Sequence, residues 1–264
     1  MSDWTIANQA DLERWTNIRT DSRREVLRAI TFGLIYLLAA LAVGAYLLIS
    51  VEAITDGTII FVGWDVVEVS FPWMNVLAWI YAGLAVSFIL LFVVFQLSLR
   101  HRLPATLVRL VAICPILGRV QQTLASAETL QSVYHAVLAE QPYGDAFQTA
   151  ADEIQSPLWK RWASSVSTRF QAGQSIEKAM RQVPLNDHPI AAVITLGQDT
   201  LTHAETVRLW HQATEECHAL LQSRTRRSIR FISHTGVIIA TLLAGMAILS
   251  SNTYLVQMLE GLRW

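Results

Sequence analysis

The stretch AITFGLIYLLAALAVGAYLLISV, residues 29–51, decides the fold. Its 23 residues carry no charge, and about 20 apolar residues of helix suffice to cross a bilayer. The run is too long for the apolar core of a signal peptide and has no small-x-small cleavage site before a polar mature start. It therefore reads as a retained membrane span.

Two further windows repeat the pattern. FPWMNVLAWIYAGLAVSFILLFVVFQLSL lies between Glu68 and Arg100, with Pro72, Trp73 and Trp79 near its start, where an interfacial boundary places such residues. FISHTGVIIATLLAGMAILSSNTYLVQM lies between Arg230 and Glu260, and is more polar through its Ser, Thr and His content, with His234 near the interface. Across all 264 residues, 53% are hydrophobic and 16% charged, and the mean hydropathy is +0.37. That balance excludes an ordinary soluble domain.

The basic residues give an orientation. Arg14, Arg19, Arg23, Arg24 and Arg28 precede the first span, and the stretch from Arg100 to Arg230 is rich in arginine at both edges. The loop between the first two spans holds Glu52, Asp56, Asp65 and Glu68 and no Lys or Arg. By the positive-inside rule the head and the long stretch are cytoplasmic, and the loop and tail are outside. A formal net charge of −1 conceals this asymmetry and does not point to nucleic acid. Cys114 and Cys217 fall on the cytoplasmic side, where thiols stay reduced.

The expected organisation is all-α: a cytoplasmic head over 1–28, spans over 29–51, 72–99 and 231–257, an outer loop over 52–71, a cytoplasmic six-helix antiparallel bundle over 100–230, and an outer tail over 258–264. Within the bundle, Val120, Leu124, Ala127, Leu130, Val133, Tyr134, Val137 and Leu138 form an amphipathic stripe at helical spacing. Pro142 and Gly144 are expected to end that helix. Asp145 is placed to cap the next one, Ser156-Pro157 to open another that Gly173 closes, and Ser175 to start a short helix with Glu177 in its first turn. Pro184 breaks that helix, and Asn186 or Asp187 is placed to cap HPIAAVITLG. Thr202-His203-Ala204-Glu205 fits a capping box, and no glycine or proline follows before Gly236. One helix is thus expected to run from the bundle into the third span.

Few residues suggest chemistry. His211, Glu215 and His218 share a helix face, and Glu215-x-x-His218 is half of a di-iron pattern. The second Glu-x-x-His that such a site needs is missing, so a polar interface or a solvated stripe is expected. Cys114 beside Pro115 reads as a small buried residue. Trp159 and Trp162 read as core or interface. No nucleophile elbow, phosphate loop, H-E-x-x-H or dinucleotide fingerprint occurs, so no catalytic residue, cofactor or metal is expected. Arg224, Arg226, Arg227 and Arg230 read as a topology anchor meeting anionic lipid, and as a contact for an acidic partner surface. Gly33, Gly44, Gly83, Gly236 and Gly245 read either as sites of close packing with neighbouring spans or pilin helices, or as ordinary membrane composition.

The order of these motifs resembles a known family. AICPILGRV at 112–120, the segment from VLAEQPYGDAF to GQSIEKAM, PLNDHPIAAVITLGQDT, and the long helix that follows are similar to the F domain of the type II secretion system F family. The likeness covers roughly residues 100–255, with Pro115, Gly118, Gly173 and Gly197 at family-motif positions. Members carry two such domains and three spans, so this chain resembles a shortened member with one domain. The family's Gly-Glu-x-x-Gly becomes Gly197-Gln198-Asp199-Thr200-Leu201, which leaves Gln198 and Asp199 as weak candidates for a cation contact.

What the resemblance implies is the platform protein of type II secretion or type IV pilus assembly in the bacterial inner membrane, multi-pass, with its N-terminus cytoplasmic and its C-terminus periplasmic. The implied partners are a cytoplasmic assembly ATPase, pilin or pseudopilin subunits, other inner-membrane assembly proteins, membrane lipid and further copies of the chain. The alternatives from other classes are a membrane receptor or regulator whose bundle binds a partner, and a membrane enzyme with a metal in the bundle.

Overall fold

A computed structural model describes residues 3–62, 72–99, 117–181, 183–184, 189–196 and 201–261. All regular structure in these residues is helical, in the order α1 (Asp3–Val62), α2 (Pro72–Leu99), α3 (Leu117–Leu138), α4 (Tyr143–Glu153), α5 (Pro157–Gln171), α6 (Ile176–Ala179), α7 (Ile190–Leu196) and α8 (His203–Gly261). Three of these, α1, α2 and α8, are long and apolar enough to cross a membrane. The chain divides into two compact units. The first comprises residues up to Val26 together with Leu97–Ser228, and the second comprises Leu27–Gln96 together with Ile229 onward.

In the second unit Leu41, Leu48, Val51, Tyr81, Ala247 and Tyr254 bury one another, flanked by Leu77, Phe88 and Leu243. The opposite faces expose large apolar side chains, among them Phe32, Tyr46, Trp79, Leu91 and Leu249. Exposed apolar surface on this scale is unfavourable in water and suits contact with lipid. Close approach is set by small residues, as their composition suggested. A Cβ on Gly236 would lie 3.4 Å from Gly33 Cα, and one on Gly44 would collide with the Tyr81 ring and meet Ala247 Cβ at 3.2 Å. Tyr81 is tied in place because its hydroxyl donates to Leu243 O at 2.6 Å. Gly83 and Gly245 have open space around them and take no part in this packing.

Two helices outrun their expected ends. α1 continues past Val51 to Val62, where a loop was expected; no proline stands in 52–62, and the single Gly57 is carried within the helix. α8 continues to Gly261, through the segment read as a tail.

In the first unit α3 is buried on more than the stripe predicted for it. Thr123, Ser126, Thr129, Gln131 and Ser132 are buried as well as the apolar residues. Their burial is tolerable because Thr123, Ser126 and Thr129 donate back to the carbonyls of Arg119, Thr123 and Ala125 at 2.7, 2.7 and 2.8 Å. A buried hydroxyl with a backbone acceptor escapes most of its desolvation cost.

The stop of α3 also differs from expectation. Glu140 adopts the left-handed region at φ 58. Its N–H donates to Val137 O at 3.0 Å, and the Gln141 N–H donates to Ala136 O at 3.0 Å. This is a Schellman motif built on a non-glycine residue. Gly144 does not end α3. It lies inside α4, where an added Cβ would meet Gln171 Cγ at 3.2 Å and where its carbonyl accepts from Ser167 Oγ at 2.7 Å. α4 begins two residues before Asp145, which therefore sits in the first turn while Pro142 holds the cap position.

Part of the remaining punctuation follows the sequence, but α6 stops at Ala179, before the Pro184 expected to break it, and Asn186 and Asp187 lie outside the described residues. Ser156 and Pro157 open α5, and Ser175 opens α6 with Glu177 in its first turn. Gly173, at φ 74, closes α5 with a second Schellman pair, Gly173 N–H to Phe170 O at 2.9 Å and Gln174 N–H to Arg169 O at 3.1 Å. At the start of α8 the capping box forms as its spacing predicts. The Thr202 N–H donates to Glu205 Oε2 at 2.9 Å, and the Glu205 N–H reaches Thr202 Oγ1 at 3.4 Å. The hydrogen bonds from Thr202 hold the Glu205 carboxyl below its usual range.

Candidate functional site

The N-terminal head, which the sequence sets apart as a separate segment, belongs to the first unit. Trp15, Ser22 and Val26 are buried, one above another along α1. Trp15, 2% exposed, meets Tyr134 edge-on at 5.5 Å between ring centroids, stacks on His218 at 5.5 Å with 15° between planes, and touches His211 at 5.3 Å. At the two ends of this contact, polar pairs fix the register. His211 Nε2 donates to Asp11 Oδ2 at 3.0 Å, and Arg23 Nη2 donates to Glu128 Oε1 at 2.6 Å. The head is thus a further helix of the unit, held by α3 and α8.

This contact absorbs the residues that resembled half of a metal site. His211 is engaged by Asp11, and Glu215 faces Arg14 at 3.9 Å. His218 is buried, with Nδ1–H donating to Thr214 O at 2.8 Å and Nε2 lacking a partner among the described residues. Burial lowers its pKa to about 4, the Thr214 hydrogen bond only partly opposing this. His218 is therefore a neutral packing partner of Trp15 near neutral pH. Among the described residues no three His, Cys, Asp or Glu side chains converge on a common point. Cys217, one position earlier, is buried beside Ser126 Oγ at 3.3 Å, and burial pushes its thiol up to about 12. A thiol so raised is a poor nucleophile.

Beside the head lies an open polar cleft of about 330 Å³, lined by Arg19, Glu128, Gln131, Ser132, His135 and Glu153 among others. Ser132 Oγ donates to Glu153 Oε2 at 2.6 Å. Burial lowers the Arg19 guanidinium below its usual range, the attraction of Glu128 pulling the other way. With one guanidinium, two carboxylates and an imidazole in its lining, the cleft is suited to a polar group rather than an apolar one. In the sequence the head's arginines carry only a topology signal, which does not single out Arg19. The available signal was the spacing of Trp15, Ser22 and Val26, which puts a buried face on the head itself.

The other predicted positions fall out as follows. Pro115, Gly197, Gln198, Asp199 and Cys114 lie outside the described residues. Gly118 is buried in the first turn of α3, and Gly173 is the left-handed stop described above. Trp159 and Trp162 are core, packed edge-to-face at 5.3 Å. Of the basic cluster, Arg224 turns inward and donates to Thr123 Oγ1 at 2.7 Å, while Arg226, Arg227 and Arg230 are exposed along α8. The structure thus splits a cluster that the sequence presented as one patch. Comparison of the chain with protein-family models, with curated proteins and with solved structures finds no match to any of the three.

Proposed function

We propose that the chain is a platform protein of a type IV pilus or type II secretion machine in a bacterial inner membrane. In this reading it couples a cytoplasmic assembly ATPase to the extrusion of pilin or pseudopilin subunits. The first unit is the cytoplasmic bundle, the arginine-rich head is cytoplasmic with it, and the C-terminus is periplasmic, following the distribution of basic residues.

One observation carries the reading. α8 runs unbroken from His203 to Gly261. Its first half supplies Val207, Trp210, Ala213, Cys217 and Leu221 to the buried interior of the first unit, and its second half is one of the three membrane-length apolar helices. A platform must pass motion from a soluble motor to subunits in the membrane, and a helix transmits displacement where a Gly/Ser linker would absorb it. The capping box at Thr202–Glu205 gives this lever a defined start. The platform itself needs no bond-making chemistry, and the exposed Arg226, Arg227 and Arg230 suit anionic head groups or an acidic partner at the membrane surface.

The test is an insertion of a flexible Gly-Ser stretch after Arg230 in the native gene. The expected result is loss of filament assembly or secretion with ATPase binding retained. Assembly at the wild-type level would refute the lever.

The polar cleft supports a second reading, a membrane receptor or regulator whose helical unit binds a small polar ligand. Under that reading the insertion leaves ligand binding unchanged, and a diffusible compound raises the melting temperature of the purified chain.

A further inference from the structure

The exposed charge of the first unit is sorted by helix. Residues 139–156, containing α4, hold four acids, Glu140, Asp145, Asp152 and Glu153, and no base. Residues 157–184, containing α5 and α6, hold five bases, Lys160, Arg161, Arg169, Lys178 and Arg181, against the single acid Glu177. The two segments are neighbours, packed through Phe147 against Trp162 and Phe170 at 5.8 and 5.7 Å.

These opposite charges do not neutralise each other within the unit. Asp145, Asp152, Lys160, Arg161, Lys178 and Arg181 are all exposed, and none takes part in an ion pair among the described residues. Among the bases stands Leu158, 52% exposed, at the rim of a groove of about 360 Å³ that it forms with Arg161, Trp162, Ser165 and Pro184. An exposed leucine and an indole beside the Arg161 guanidinium, on a segment that also carries Lys160, Lys178 and Arg181, make a docking face rather than a merely solvated one.

We propose that this face binds a second copy of the chain, the acidic α4 of one protomer lying against the basic α5–α6 face of the other. Charge complementarity selects this occupant. The acidic surface that α5–α6 requires is on the adjacent helix of the same unit, so a two-fold rotation brings α4 onto α5–α6 and α5–α6 onto α4 in one step. Such a self-complementary patch closes as a dimer. Exposed ion pairs contribute little affinity each, so Leu158 and the groove supply the attraction while the charges set partner and register. The pairing does not depend on the platform reading.

Two charge-reversed full-length chains in detergent or nanodiscs test it, with mass measured over a concentration series. One carries Lys160→Glu and Arg161→Glu, and the other carries Asp145→Lys and Asp152→Lys. The wild-type chain is expected to dimerise with an affinity that falls as salt rises. Each reversed chain alone is expected to weaken dimerisation by roughly 100-fold or more, since like charges then face each other. An equimolar mixture of the two is expected to regain the wild-type dimer, because each reversed face meets its complement. Leu158→Ser, a change at an exposed position that the fold tolerates, is expected to weaken the dimer about tenfold. The proposal is overturned by a monomeric wild-type chain, by unchanged dimerisation of either reversed chain, or by failure of the mixture to recover when both chains retain their helical circular dichroism. A monomer whose Lys160→Glu/Arg161→Glu form loses binding to anionic vesicles would also overturn it, and would assign the face to lipid.

Discussion

Replacing Trp15 by alanine tests whether the head is part of the first unit or a loose extension of the first span. Trp15 is 2% exposed and its ring meets Tyr134, His211 and His218 within 5.6 Å of their centroids. Truncating a buried tryptophan costs about 3–5 kcal/mol, through lost burial and the cavity left behind. That is a large share of the 5–15 kcal/mol typical of a folded domain. The local effect is larger than the global one, because Val26 is then the one large apolar side chain still buried among the described residues of the head, and the Asp11–His211, Arg23–Glu128 and Arg14–Glu215 pairs, partly or fully exposed, contribute at most about 1 kcal/mol each. Trp15→Ala in the full-length chain should therefore lower the melting temperature of the first unit and release residues 10–26 to amide hydrogen exchange and proteolysis. Thr16→Ala, one position along and exposed, should change stability by less than about 0.5 kcal/mol. Wild-type protection of residues 10–26 in Trp15→Ala would refute the docked head and return it to the role of a charged leader.

The first unit should lose stability as pH falls from about 6.5 towards 4. His218 titrates near its ordinary value of 6.5 when unfolded but only near about 4 when folded, so over that window the unfolded chain binds the extra proton. The loss attributable to His218 is on the order of 3 kcal/mol, and His135, also lowered by desolvation, adds in the same direction. His218→Gln should flatten this dependence in denaturation curves, and an unchanged slope would contradict the assignment. Gly44→Ala should destabilise the packed spans by about 1–3 kcal/mol because Tyr81, tied to Leu243 O, has nowhere to move, while Gly83→Ala, in open space, should be nearly neutral. Thermal unfolding of the two variants in one detergent decides it. Glu140→Gly should stabilise the α3–α4 turn by roughly 1 kcal/mol, since glycine bears no penalty at a φ of 58. A drop in melting temperature would show that the Glu140 side chain matters more than its backbone.

The features legible in the sequence were those set by local rules. The charge-free windows gave the apolar helices, Thr202–Glu205 gave the start of α8, and Gly173 gave the stop of α5. The errors arose where tertiary structure overrides local preference. Pro142 and Gly144 looked like the end of α3, but the turn was made by Glu140, a residue that seldom adopts a left-handed backbone. The stripe on α3 was too narrow because Thr123, Ser126 and Thr129 can be buried once each hydroxyl finds a carbonyl one turn back. The head looked like a topology signal because its five arginines drew attention from Trp15. For the same reason the His211–Glu215–His218 face had no visible purpose. Its partner, the face carrying Asp11 and Trp15, is about 200 residues earlier in the chain, and no periodicity argument pairs two helix faces across that separation.

The most direct test of the platform reading is to solubilise native membranes gently, capture the chain by an affinity tag, and identify what co-purifies. The account predicts a hexameric assembly ATPase together with pilin-like subunits, retained by the wild-type chain and held more weakly when Trp15→Ala releases the head from the first unit. Capture of the intact chain with neither partner, from cells that are assembling filaments or secreting, would contradict it.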